Sequence, residues 1–200
     1  MKKIIGIFTC AVLILSVFAF IDILNDKQVL KNSVIRLHVV ANSDSPEDQE
    51  IKLKVKDAVV VYLQPRMQTI ASRNDAIAYI QEQLAALQTL ANQVLDNLGV
   101  TDRTTVKFQQ EAFPVRHYDT FSLPSGIYDA LRIEIGEAKG KNWWCVVFPS
   151  LCLPATTKDF QDTAVSSGFS PSLSNTLSGN KAYKFRFFLL DWFGKIENLF

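Results

Sequence analysis

Two histidines, His38 and His117, and three cysteines, Cys10, Cys145 and Cys152, are the side chains best suited to nucleophilic or metal chemistry. A thiol enzyme requires Cys145 or Cys152 to meet one of the histidines in space. Neither cysteine lies in a local nucleophile signature. A structural zinc takes four ligands, which would consume both histidines and both later cysteines. Asp44, Glu47, Asp48 and Glu50 cluster where a helix begins, and acids there interact favourably with the helix dipole. Calcium-loop spacing does not accompany them. The chain has no glycine-rich phosphate loop, no HExxH and no GxSxG. These residues give no positive sign of catalysis, and neither a metal nor a cofactor is expected.

Binding chemistry is better represented. Trp143 and Trp144 are neighbours in an apolar run, and adjacent strand residues point to opposite faces of a sheet. At least one indole therefore lies away from whatever layer covers the other face. It either sits beneath another part of the chain or anchors a partner, as tryptophan often does.

The elements that must position these side chains follow an N-terminal segment of a different kind. Met1-Lys2-Lys3 precedes 18 residues without a charge, Ile4 to Ile21, which end at Asp22. A basic start followed by an apolar run directs export. The run is long for a signal peptide and just long enough to cross a hydrocarbon core of roughly 30 Å. Residues 1–24 thus read as a signal peptide or a retained membrane anchor. Without them the chain carries 19 basic and 19 acidic side chains, so it has no electrostatic footprint for nucleic acid. Export also permits a disulfide between Cys145 and Cys152, the alternative being two buried free thiols.

From Val34 to Val40, Ile35, Leu37 and Val39 alternate with Arg36 and His38, the pattern of a strand with one buried face. Asn42 to Asp48 then stacks turn formers, a capping Ser45, Pro46 at the first helical position and acids in the first turn. A helix follows, with Pro65 as a kink or end point. A second helix runs from Ser72 to Gly99 on a stripe of Ile77, Ile80, Leu84, Leu87, Ala91, Val94 and Leu98. Strands are predicted at 104–111, at 127–135 and at 142–148, the last two as a hairpin. The predicted class is α+β: a mixed, mostly antiparallel sheet packed on a two-helix hairpin, as one domain over residues 33–153. Residues 154–180, rich in Thr, Ser, Gly and Asn, read as a flexible linker. Residues 181–200 form an aromatic tail that needs a surface, on this domain, on a partner or on a membrane.

Three stretches carry a resemblance. They are Ile35-Arg36-Leu37-His38-Val39-Val40-Ala41-Asn42-Ser43-Asp44-Ser45, Leu123-Pro124-Ser125-Gly126-Ile127-Tyr128-Asp129-Ala130-Leu131-Arg132, and Gly140-Lys141-Asn142-Trp143-Trp144-Cys145-Val146-Val147-Phe148-Pro149-Ser150-Leu151-Cys152. Together they resemble the stage II sporulation protein R family, over roughly residues 34–153. The resemblance implies an exported signalling protein of endospore formation, secreted from the forespore into the space between two membranes. There it implies activation of a membrane-embedded aspartic protease of the mother cell, the sigma-E factor processing peptidase, which triggers pro-sigma-E processing. It implies no catalytic residue. The shared motifs concentrate the candidate partner contacts at Asn42, Asp44, Tyr118, Tyr128, Arg132, Trp143 and Trp144. Two other classes stay open: an exported, membrane-attached hydrolase using His117 with a thiol or carboxylate, and a structural envelope protein.

Overall fold

The computed structural model describes residues 2–150, 157–166, 169–179, 181, 183, 184 and 188. The first helix, α1 (Lys2–Ser33), carries the apolar run and continues unbroken into the polar stretch beyond it. Over its apolar window, of mean hydropathy 2.6, nothing among the described residues covers it. Only near its end does it meet the domain, where Leu30 is fully buried.

β1 (Ile35–Val40) follows directly and leads into α2 (Pro46–Met67). Ser45 caps α2 by accepting a hydrogen bond from the Asp48 amide at 3.1 Å, with Pro46 in the first turn. Pro65 does not end α2, which runs on to Met67; so close to the C-terminus, a proline interrupts little of the ladder. The long stripe predicted as one helix divides at Gln83 into α3 (Arg73–Glu82) and α4 (Leu84–Asn97). Gln83 is both the last cap of one and the first of the next, and its backbone amide bonds to Tyr79 and Ile80 carbonyls.

The remaining elements are β2 (Thr104–Phe113), β3 (Arg116–His117), β4 (Ser122–Leu123), β5 (Gly126–Ile135), β6 (Asn142–Phe148), α5 (Thr157–Ser166) and α6 (Pro171–Ser178). β3 and β4 form a small separate ladder. The main sheet has four strands in the order β2-β5-β1-β6, with β1 parallel to β5 and antiparallel to β6. The class is α+β with a mixed sheet, as the sequence implies.

The predicted hairpin of 127–135 with 142–148 is corrected: β1 lies between the two strands and pairs with both. Every residue of β1 is buried, so its backbone donors and acceptors need ladder partners on both sides. An edge position would leave half of them unpaired.

Alternation in β1 divides the interior. Ile35, Leu37 and Val39 join Val55, Val59, Leu63, Ile80, Leu87 and Leu95 of the helices in one cluster. The other face carries Arg36 and His38, and it is covered as well. Residues 154–180 are not a flexible linker where they are described: α5 and α6 bury Phe160, Ala164, Leu173 and Leu177 against that face. The apolar residues sit four apart in each helix, and Ser170 caps α6 through the Leu173 amide at 3.1 Å, with Pro171 following. A polar composition hid this signal, because each short helix needs only two apolar contacts per side to dock. Of the tail, Tyr183 is buried in the same cluster and packs edge-on to His117 at 5.6 Å. Residues 189–200 lie outside the described residues.

Cys145 is disulfide-bonded, and Cys10 is free and exposed. Cys152, the expected partner, lies outside the described residues.

A candidate interaction face on the central sheet

Strand register alone lines up four chemically distinct side chains. Lys107 of β2 stands opposite Arg132 of β5, Arg132 opposite His38 of β1, and His38 opposite Trp144 of β6. All four belong to the face away from α2–α4, because side chains alternate along each strand.

Around this row runs a ladder of charge. Glu111 accepts from His38 Nδ1 at 2.9 Å and is ion-paired with Arg132. Arg132 Nε also donates to Glu134 at 2.7 Å, and Lys107 donates to the same carboxylate at 3.1 Å. With a carboxylate accepting at Nδ1, that nitrogen of His38 carries a proton. Its Nε2 is buried without a hydrogen-bond partner among the described residues.

Beside the charges lies an aromatic stack. His38 and Trp144 are parallel at 3.9 Å, and Phe113 meets Trp144 edge-on at 4.8 Å. Arg36 is fully buried next to them, its Cζ 4.3 Å from the Phe113 ring centroid and 5.1 Å from that of Tyr128. Its Nη2 donates to the Tyr118 hydroxyl at 2.8 Å, whereas Nε and Nη1 have no partner among the described residues. Two π faces thus stand against the buried guanidinium. Burial raises the Tyr118 hydroxyl above its ordinary value, and the nearby Arg36 charge offsets only part of that. On the outer side, Arg116 Cζ lies 4.8 Å from the Trp144 ring.

The expected contact residues fall into three places. Tyr118, Tyr128, Arg132 and Trp144 come together on this face. Tyr128 is 1% exposed and donates its hydroxyl to the Pro124 carbonyl at 2.8 Å, so it supports the face from beneath. Trp143 points to the opposite face, against the helix-side cluster, with Lys56 Nζ 5.0 Å from its ring. Asn42 and Asp44 clamp the far ends of the strands: Asn42 Oδ1 accepts from the Glu137 amide at 2.9 Å, and Asp44 Oδ1 from the Lys141 amide at 2.6 Å. Arg36, Glu111 and Phe113 were not singled out from the sequence. Arg36 shares the alternation of His38, and the apolar residues on both sides of the Arg36–His38 pair were the available sign that this face is buried too.

Glu111 and Glu134 make the ladder sensitive to acid. Burial alone raises the Glu111 carboxyl, but the hydrogen bond and charge of His38, with Arg132, override it and hold the group below its ordinary 4.5. For Glu134, burial is likewise outweighed by Lys107 and Arg132. A carboxyl lowered in the folded state contributes stability above its unfolded value and loses it as pH falls through the folded one. Thermal midpoints are therefore expected to drop as pH falls below about 4.5. The drop should be shallower in Glu111→Gln; parallel curves for the two proteins would refute the assignment.

Among the described residues, histidine and cysteine form no open constellation. His117 Nδ1 is 2.8 Å from Ser122 Oγ, but Ser122 is fully buried. Among the described residues, no group of three or more His, Cys, Asp or Glu side chains could hold a metal ion.

Comparison with known proteins bears on the whole of this arrangement. No solved structure matches the chain. Stage II sporulation protein R of Bacillus subtilis (strain 168) is 34% identical over 128 residues, which cover 64% of this chain and 57% of that protein. The matched stretch thus spans less than two thirds of the relative's length. The family model described as stage II sporulation protein R matches residues 31–158, from the last turn of α1 through all six strands to the start of α5. With the sheet, its charged ladder and the Trp143–Trp144 pair all inside that match, the chain belongs to the stage II sporulation protein R family.

Proposed function

We propose that this chain is an exported signal of endospore formation that acts by contact. It is secreted from the forespore into the space between the two membranes, held there by α1 or released from it. It activates the membrane-embedded aspartic protease of the mother cell, the sigma-E factor processing peptidase, and so triggers pro-sigma-E processing. Tyr118, Arg132 and Trp144 on the sheet face, Asn42 and Asp44 at its end and Trp143 on the opposite side are the contact candidates with some exposure.

One observation favours a ligand over a hydrolase: the groups that could react are already engaged. Cys145 is oxidised, His38 is stacked and hydrogen-bonded, and His117 faces a buried hydroxyl. Shifting a partner from 1:99 to 99:1 active takes about 5.5 kcal/mol of differential binding, within reach of one moderate interface.

The test is processing of the sigma-factor precursor in a strain lacking the gene, complemented with variants. Full-length protein and His117→Ala are expected to restore processing alike, and a version lacking residues 1–24 is expected to restore none. Loss of processing in His117→Ala with the fold intact would favour the hydrolase. Undiminished processing by Asp44→Asn combined with Trp143→Phe would remove those two residues from the interface.

A further inference from the structure

A cleft of about 670 Å³ separates the end of α1 from the start of β5. One stripe of α1 lines it, Leu24, Lys27, Gln28 and Lys31, at the three- and four-residue steps that share a helix face. Ser125, Gly126 and Ile127 line the other wall. Neither lysine forms an ion pair among the described residues. Ser125 is 4% exposed, and its Oγ has no hydrogen-bond partner among the described residues. A buried donor left open beside two free ammonium groups calls for an anion with acceptor oxygens. Asp22 and Asp26, on the same stretch of helix, do not line the cleft.

Position says which anion. Lys27 lies six residues past the end of the apolar run at Ile21, about 9 Å along the helix. The polar interface of a bilayer extends roughly 5 to 8 Å beyond each side of the hydrocarbon core. Lysine side chains reach back several ångströms toward that level. Ile127, 52% exposed at the rim, and Leu24, 43% exposed, add an apolar edge suited to the glycerol and first acyl carbons. We propose that the cleft between α1 and β5 binds the phosphodiester headgroup of an anionic phospholipid, through Lys27, Lys31 and the Ser125 hydroxyl. The bound lipid fixes the domain's tilt on the membrane surface. This rests on α1 remaining attached as an anchor, and it is independent of which protein the domain touches.

The full chain is reconstituted in nanodiscs of phosphatidylcholine and in nanodiscs of an equal mixture of phosphatidylcholine and phosphatidylglycerol. Amide hydrogen exchange at residues 125–128 should be several-fold slower in the mixed discs. Short-chain phosphatidylglycerol titrated into the phosphatidylcholine discs should protect the same amides. Lys27→Gln combined with Lys31→Gln should weaken that titration about 30-fold, the share expected of two lysines at a membrane surface. Equal exchange in the two lipids, or an unchanged titration in the double variant, overturns the proposal. Inorganic phosphate protecting as well as the lipid would make the cleft a free-phosphate site and overturn it too. Failure of the chain to enter the discs removes the anchor itself. None of these outcomes depends on precursor processing, so the signalling role is judged separately.

Discussion

Phe113→Ala is expected to cost the fold about 4 kcal/mol, in the usual range for truncating a buried aromatic. Phe113 is fully buried. Its ring touches Arg36 at 4.3 Å, Trp144 at 4.8 Å, Tyr128 at 5.9 Å and His38 at 6.0 Å. Truncation opens a cavity and also strips the nearest π face from a guanidinium that has no carboxylate partner among the described residues. For a chain of this size the thermal midpoint should fall by about 8 to 16 °C, read by circular dichroism of the full chain in detergent. Phe113→Leu, which retains much of the volume, separates the two contributions. If leucine restores most of the loss, packing dominates; if it restores little, the cation–π contact does. A fall of under about 2 °C in the alanine variant would mean that the aromatic stack carries little of the stability.

Gly140→Ala should lower stability by about 3 kcal/mol, from overpacking and the hydrogen bonds that overpacking breaks. A Cβ at this position would lie 2.1 Å from the Ser43 carbonyl oxygen and 2.5 Å from its carbon. These are backbone atoms and cannot swing away as a side-chain tip does. To make room, the turn after β1 must part from the loop before β6. That loop is held by Lys139 N to Asn42 O at 3.1 Å, Gly140 N to Ala41 O at 2.9 Å and Lys141 N to Asp44 Oδ1 at 2.6 Å. Faster amide exchange at residues 139–141, with a midpoint lower by about 6 to 12 °C, is the expected result. Gly99→Ala is the control: its φ is +71°, but nothing lies within 4 Å of the added carbon. It should cost only about 1 to 2 kcal/mol, the torsional part alone. Equal losses in the two variants would show that the close approach at Gly140 is not what holds the loops together.

If Asn42 and Asp44 serve the clamp, their place in the shared motif has a structural explanation that needs no partner. Trp144 and Arg132 are different. Each is only half-buried beside a charged ladder whose outer members, Lys107 and Glu134, face solvent.

Local periodicity marks where β1, α2 and the α4 stripe lie, because burial of one face imposes a two- or 3.6-residue rhythm on neighbouring positions. Ser45-Pro46 and the basic-then-apolar N-terminus were equally legible, since caps and export segments act through a few adjacent residues. The α+β class and the likeness to one family came from the same kind of signal. Three things did not. The insertion of β1 between β5 and β6 brings His38 within 3.3 Å of Arg132, 94 residues away, and no local pattern encodes that partner. The docking of α5 and α6 depends on a face that exists only after the sheet forms. The burial of Arg36 and His38 depends on that docking in turn. A strand with alternating charge looks solvent-facing until something covers it. Sequence thus determined which elements form and which face of each is apolar, because those are short-range consequences of side-chain type. Tertiary structure alone decided which elements meet, because a sheet face gains its neighbours from chain segments far apart and is covered only when they converge.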